Sequence, residues 1–306
     1  MKKYTSTIII LTLNAEKEIE KILEKINFKK YHVIIIDSSS EDNTIKLCKK
    51  YNCKIKVINK DDFNHGGTRE YARNLTKTDI VVFFTQDAIP TNHDTIHNLI
   101  SPLLDGKASV AYARQLPKKG SDIFESFPRE HNYGDRSQIR SIKDIKKYGQ
   151  YTFFSSDSCS AYVNSDLDLV GGIEPTIVSE DYFNAVKLLL AGKKIAYVSE
   201  AEVYHSHKYS LINEFQRMFD TGYARAEKQQ IKTYEKNTTR QGLKYTIALF
   251  RKLIIQNPLL IPYAILQTIV KYTGYKVGLN SIKFPTWLKK LFSGQKYYWS
   301  SKYYVK

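Results

Sequence analysis

Ile80-Val-Val-Phe-Phe-Thr-Gln-Asp-Ala-Ile-Pro90 is the stretch whose reading decides the fold. Its five apolar residues, Ile80 to Phe84, read as a strand buried on both faces, the kind found in parallel sheets covered by helices. The run stops at Thr85-Gln86-Asp87, and Pro90 is expected to prevent further ladder pairing. A carboxylate at the carboxyl end of a buried strand stands where open α/β sheets bind their ligands. The plainer reading makes Asp87 the cap of a helix beginning near Thr91. The rest of the chain decides whether Asp87 has company.

Upstream, Thr7–Leu13 reads as a first strand ending at Asn14, followed by an amphipathic helix over Ala15–Ile26. Val33–Ile36 is a second buried strand, ending at Asp37. The Ser38–Thr44 turn offers side chains that cap a helix running to about Tyr51. Lys54–Ile58 is a short third strand, Phe63–Arg69 a glycine-containing loop, and Arg69–Leu75 a helix. Strand and helix alternate, which predicts a parallel, doubly wound sheet with right-handed crossovers. Downstream come a helix over Asp94–Leu104 and a strand over Ser109–Ala113. The polar stretch from Leu116 to Gln150 is too long for a plain connection and is expected to act as a lid or binding segment. A strand pair over Thr152–Val163 and a Gly171-Gly172 turn lead to Ser179-Glu180-Asp181. These open a helix that Gly192 terminates. Lys194–Val198 is a strand, Val203-Tyr-His-Ser-His207 follows, Leu211–Thr221 is helical, and the chain from Lys228 is helical and basic.

The 306 residues are 42% apolar and 13% aromatic, enough for one large globular domain or two small ones. Cys48, Cys53 and Cys159 lack metal-site spacing and suit a reducing compartment. The first apolar run is too short for a signal peptide, so a cytoplasmic protein is expected. Charge is uneven. Residues 228–306 hold 15 Lys/Arg and one acid (Glu235), a net of +14 out of the chain's +16, which leaves +2 for residues 1–227. A neutral body with a basic tail suits an anionic partner, lipid or nucleic acid. Nucleic acid is disfavoured, because the charge avoids the body and no helix-turn-helix or RNA-binding signature appears. Leu253–Val270 is apolar but broken at Gln256-Asn257-Pro258 and Pro262, and at 18 residues it sits at the lower limit for a membrane span. It is expected to lie on the inner membrane surface, with Tyr297, Tyr298, Trp299, Tyr303 and Tyr304 as interfacial aromatics. The competing reading packs the helical tail on the rest of the chain.

The ends of three strands, at Asn14, Asp37 and Asp87, fall on one edge of such a sheet. Asp37 with its serine-rich turn suits a nucleoside, and the helix N-terminus behind it favours anions. Asp87 suits a hard divalent cation that bridges phosphates. His205 or His207 could complete that shell with an imidazole, which fits Mn²⁺ better than Ca²⁺; a His-X-His pair also occurs by accident on surfaces. Glu180-Asp181 before an apolar helix can be an N-cap stabilised by the helix dipole. The alternative makes Asp181 a general base that deprotonates an acceptor hydroxyl.

Taken together these residues resemble glycosyltransferase family 2, and within it a bacterial rhamnosyltransferase branch. The resemblance is carried by Leu13-Asn14, Ile36-Asp-Ser-Ser-Ser-Glu-Asp-Asn-Thr44, Phe63-Asn-His-Gly-Gly-Thr-Arg69 and Phe84-Thr-Gln-Asp-Ala88. It continues in Ala113-Arg-Gln-Leu-Pro117, Ser179-Glu-Asp181, His205-Ser-His-Lys-Tyr209 and Phe215-Gln-Arg-Met-Phe-Asp220. It implies a GT-A nucleotide-sugar-binding fold over 1–225, with a donor half to about 115 and an acceptor half over 116–225. Residues 226–306 would be a helical, basic, membrane-associating extension. Donor contacts implied are Thr12, Asn14, Asp37, Ser39, Arg69, Gln86 and Asp87. The metal, Mn²⁺ or Mg²⁺, falls to Asp87 with His205 or His207, His205 first. Asp181 would be the catalytic base, and Glu180, Arg217 and Asp220 would meet the acceptor. The implied reaction is inverting transfer of rhamnose from dTDP-rhamnose to a lipid-linked saccharide of a cell-surface polysaccharide.

Two residues depart from the family pattern. Thr85 stands where the first aspartate of Asp-X-Asp belongs, although the branch tends to show Gln-Asp-Ala here. Glu70 follows Arg69 where an asparagine is usual, and a carboxylate there is unhelpful unless it faces away or pairs with Arg73. The rival readings are a same-fold transferase using a UDP-hexose or UDP-galactofuranose donor, an inactive sugar-binding homologue, and a non-catalytic basic protein that binds nucleic acid or membrane.

Overall fold

A computed structural model of the chain describes residues 4–228 and 238–304. Among the described residues nine strands make one sheet: β1 (Ser6–Thr12), β2 (His32–Asp37), β3 (Lys54–Val57), β4 (Ile80–Thr85), β5 (Ile89–Pro90), β6 (Val110–Leu116), β7 (Gln138–Arg140), β8 (Cys159–Val163) and β9 (Ile195–Tyr204). Their order is β3-β2-β1-β4-β8-β6-β9-β5, with β7 paired on β9. β4 sits centrally, parallel to β1 and antiparallel to β8. Its residues Ile80 to Phe84 are at most 1% exposed. The uninterrupted apolar run is therefore what a strand covered on both faces requires.

Helices α1 (Ile19–Leu23), α2 (Thr44–Cys48) and α3 (His65–Asn74) form the crossovers, and α4 (Thr95–Leu104) packs on β6 and β9. Then come α5 (Ile123–Asn132), α6 (Ile145–Tyr148), α7 (Asn164–Leu169) and α8 (Glu180–Leu190). Gly192, at φ +78°, ends α8 as expected. The chain divides into two compact units, Met1–Pro175 with Glu180–Ser206, and Thr176–Ser179 with His207–Lys306. The second unit holds α9 (Leu211–Glu227), α10 (Thr238–Gln256), α11 (Ile261–Leu279) and α12 (Thr286–Phe292).

Strand direction decides which side chains can meet. β1, β2, β4, β6 and β9 run the same way, while β8 runs against β4 and β6. One sheet edge thus collects the residues that leave β1, β2, β4 and β9 and those that enter β8. Strand order reverses between β1 and β4, which opens the crevice where such sheets bind ligands.

Several local expectations are corrected. Pro90 does not prevent pairing: Ile89 and Pro90 pair antiparallel with Tyr204 and Val203 at the sheet margin, where a proline costs least. Phe63–Arg69 is not a loop, because α3 starts at His65, with the Asn64 side chain accepting from the Gly67 N–H at 2.8 Å. Thr152–Val163 yields one strand, β8, preceded by a short 3₁₀ turn. The two runs after Lys194 are one strand, because a bulge between Ala113 and Arg114 of β6 absorbs the intervening residues of β9. The 116–150 stretch is anchored rather than open. It supplies β7 to the sheet, and buried Arg140 donates to Tyr112 Oη (2.8 Å), the Phe154 carbonyl (2.6 Å) and the Tyr151 carbonyl.

Candidate active site

Asp87 follows β4, and its helix-cap reading fails. α4 begins at Thr95, with Asp94 at its N-cap position. Asp87 instead meets His205, the residue after β9, with Oδ2 and Nε2 3.5 Å apart. His205 is 6% exposed. Gln115, near the end of β6, sets the ring: its Oε1 lies 2.8 Å from Nδ1, while its Nε2 donates to Ser156 Oγ at 2.8 Å. With Nδ1–H donating to that amide oxygen, Nε2 is left as the basic nitrogen turned toward Asp87. Burial lowers the His205 pKa against the pull of Asp87, which keeps the imidazole neutral and fit for a metal. His207, two residues on in the sequence, opens the second unit. Oxygen and imidazole donors of this kind suit Mn²⁺.

On the β1–β2 side, Asp37 is fully buried. Its carboxylate accepts from Thr12 Oγ1 (2.8 Å), Ser40 N–H (2.8 Å) and Ser40 Oγ (2.6 Å). Asn14 and Ser39 both adopt positive φ, at 51° and 63°. Asn14 Oδ1 accepts from Glu41 N–H, and Ser39 Oγ donates to the Ile58 carbonyl. Gln86 is engaged as well: its amide accepts from and donates to the backbone of Leu13, at 2.7 and 3.0 Å. Thr12 and Gln86 therefore shape the crevice by tying strand ends together.

The second cluster is a knot of charge. Arg69, on α3 and 2% exposed, pairs with Glu180 at 2.8 Å and faces Asp157 with Nε and Oδ2 3.6 Å apart. Those two atoms make no hydrogen bond. Gly66 permits this approach. A Cβ there would lie 2.0 Å from the Glu174 carbonyl oxygen, so only glycine lets α3 run this close to the chain entering α8. Asp157 also accepts from Ser160 Oγ (2.6 Å) and Tyr162 Oη (2.7 Å). Its N–H donates to Asp181 Oδ2 at 3.4 Å, and Asp181 Oδ1 accepts from Tyr182 N–H at 2.7 Å. Asp181 is thereby held at the start of β8, beside the end of β4. Three carboxylates share one guanidinium. Loss of water, then Glu180, then Asp157 push the half-buried Asp181 up to about 8. Such a carboxylate holds a proton far better than an ordinary aspartate.

The profile of the family described as glycosyl transferase family 2 matches residues 7–169. The chain is 39% identical over 271 residues to the O-antigen chain rhamnosyltransferase WbaN of Salmonella anatum, covering 88% of this chain and 86% of that protein. It is 37% identical over 303 residues to the O-antigen chain rhamnosyltransferase RfbN of Salmonella typhimurium, covering 96% of each. The chain belongs to glycosyltransferase family 2. Among solved structures it is similar to the mannosyltransferase PcManGT of Pyrobaculum calidifontis, determined with GDP-Man and Mn²⁺. That match has a TM-score of 0.64 and 14% identity over 92% of this chain and 89% of that one. It is also similar to residues 1–349 of S. aureus TarS, with a TM-score of 0.53 and 14% identity over 90% of each chain. The fold is accordingly that of the GT-A glycosyltransferases, and the chain is a glycosyltransferase.

For this transferase the remaining candidates fall into place unevenly. Glu70 pairs with Arg73 through two bonds of 2.9 and 2.6 Å and accepts from Ile173 N–H, so the unusual carboxylate is engaged within its own surroundings. Arg69 and Glu180, expected at donor and acceptor, are instead buried against each other. Asp220, in the second unit, is 1% exposed and accepts from Ser293 Oγ (2.5 Å), Gly294 N–H (2.9 Å) and Gln295 N–H (3.2 Å). It anchors the chain after α12. Arg217 pairs with Glu214 at 2.9 Å, stacks over Tyr209, and stays 47% exposed. Tyr298 and Trp299, two of the five expected interfacial aromatics, are 3% and 2% exposed and pack edge-on or tilted against Tyr223 and Tyr304, so these two are core of the second unit. Sequence reasoning missed Asp157 and Gln115. Asp157 precedes an antiparallel strand, so it stands at a strand start, where the rule for strand carboxyl ends gives no signal. Gln115 lies inside a family-like block without its own chemical signal.

Proposed function

We propose that the protein is an inverting rhamnosyltransferase that builds a cell-surface polysaccharide, with dTDP-rhamnose as donor and a lipid-linked saccharide as acceptor. The observation that carries the reaction type is the pairing, on one sheet edge, of a metal-ligand cluster at Asp87 with a proton-seeking carboxylate at Asp181. The rhamnose assignment rests on the two Salmonella relatives, whose similarity extends over most of each chain.

Asp87 and His205 would hold Mn²⁺ or Mg²⁺, with His207 as the further candidate ligand, and Gln115 keeps the His205 ring in the ligating tautomer. When bound, such a cation neutralises a departing diphosphate. Asn14, Asp37 and Ser39 line the nucleoside side. Asp181 accepts the proton of the acceptor hydroxyl as that oxygen bonds to the anomeric carbon. The bond from carbon to diphosphate oxygen breaks, and its electron pair leaves with the nucleotide. One displacement inverts the anomeric centre, with oxocarbenium-like character. Arg217 is the remaining candidate for the acceptor side. The basic second unit is proposed to hold the enzyme on the inner face of the membrane. Among the described residues no helix is long and apolar enough to cross a membrane.

Nucleotide release from dTDP-rhamnose and from a panel of UDP-sugars, with a lipid-linked acceptor and with or without Mn²⁺, tests this reading. Release with dTDP-rhamnose alone is expected. Release confined to UDP-hexose or UDP-galactofuranose would overturn the donor and keep the reaction.

A further inference from the structure

Helix α11 is built inside out. Its buried residues are Ala264, Gln267, Gly274 and Gly278, all small or polar. Lys271 shares that side and pairs with buried Glu214 of α9 at 3.1 Å. The opposite side carries Ile265, Ile269 and Tyr272, exposed by 46, 55 and 56%, and ends in exposed Lys276. These two sets sit at helical spacings about half a turn apart. The orientation is not free to reverse. A Cβ at Gly274 would lie 2.5 Å from the Phe215 carbonyl oxygen, and one at Gly278 would lie 2.1 Å from that of Phe219. Only glycine lets α11 lie this close to α9, so the bulky apolar residues are forced outward. α10 repeats the pattern. Leu249 and Leu253 are buried, whereas Leu243, Ile247 and Ile254 form an exposed stripe with Arg251 beside it. Leu259, at the elbow between the two helices, is 88% exposed.

We infer that this outward face of α10 and α11, with its Leu259 elbow, lies within the interfacial layer of an anionic phospholipid bilayer. The inference rests on the membrane association proposed above and names the surface that makes it. Charge selects the occupant. Residues 228–306 carry a net of +14, so a second copy of the same face would meet strong like-charge repulsion, whereas an anionic headgroup layer attracts it. Arg251 and Lys276 stand beside the apolar stripes, where their long stems can reach headgroups while the isoleucines enter the acyl boundary. The break after Gln256 makes two helices that can lie flat.

The test is flotation of the full chain with vesicles of phosphatidylcholine alone and of phosphatidylcholine with phosphatidylglycerol, comparing wild type with the double variant Ile265→Glu, Ile269→Glu. Wild type is expected to float with the phosphatidylglycerol vesicles and the variant to bind them at least about tenfold more weakly, with an unchanged melting temperature. A further variant, Ile269→Trp, is expected to show a blue-shifted emission that brominated lipid quenches. If the double variant floats like wild type, the apolar face does not enter the bilayer and this surface is wrong. A wild type that floats with no vesicle sinks the membrane reading as well. A dimer in light scattering that the double variant abolishes assigns the face to a second copy instead.

Discussion

Asp181 and Asp220 are both aspartates that burial pushes far above the usual carboxylate range, to about 8 and about 7. Their surroundings are opposite. Asp220 is met by three donors, the Ser293 hydroxyl and two backbone N–H groups, and every one belongs to the chain it anchors. Asp181 receives only two backbone N–H bonds, at 2.7 and 3.4 Å, and its close company is Glu180 and Asp157. A raised proton affinity alone therefore does not mark a catalytic group. The sign and number of the neighbours separate a staple from the proposed base.

The largest test of this contrast is Asp181→Asn. Turnover is expected to fall by about 10²–10⁴-fold, the usual range for loss of a general base, with little change in donor KM. Steady-state kinetics that left kcat intact would break the comparison. Next, Gln115→Leu is expected to weaken Mn²⁺ activation by about 10–100-fold, because the His205 ring loses the partner that sets its tautomer. A titration of activity against Mn²⁺ reads this directly, and an unmoved activation constant would remove Gln115 from the site. Asp220→Ala should leave kcat near wild type while costing about 1–3 kcal/mol of stability, since three donors lose their acceptor. Denaturant unfolding beside a turnover assay separates the two effects. If turnover fell with unchanged stability, Asp220 would return to the acceptor side.

The smallest effect is a pH dependence. The pKa of Asp181 is raised in the folded state, so its contribution to stability is present below about 4 and is lost as pH rises through about 8. Asp181→Asn is therefore expected to raise the melting temperature at pH 8.5 by about 2 °C for each kcal/mol recovered, and to leave it unchanged at pH 4. A shift of equal size at both pH values would show that packing, not charge, is responsible. The same group predicts that kcat/KM of the wild type climbs toward a limb near pH 8.

Much of the fold was legible in the chain because its signals are local. The apolar run Ile80–Phe84, the strand ends at Asn14, Asp37 and Asp87, and Gly192 after α8 each follow from short-range rules of periodicity and backbone freedom. That Asp87 and His205 meet was also readable, because carboxylate and imidazole at strand ends carry a chemical signature. Only tertiary structure could decide the rest. Arg69 and Glu180 look like ligand contacts in sequence, yet Gly66 brings their helices close enough that they neutralise each other in the interior. Asp157 matters only because β8 runs against β4, and strand direction is a property of the whole sheet. The tail shows the same division. Composition determined that residues 228–306 would be basic, and the break near Pro258 was visible. Which face of α11 looks outward was settled by two glycines pressed on α9, since close packing is a contest among distant side chains that no single segment records.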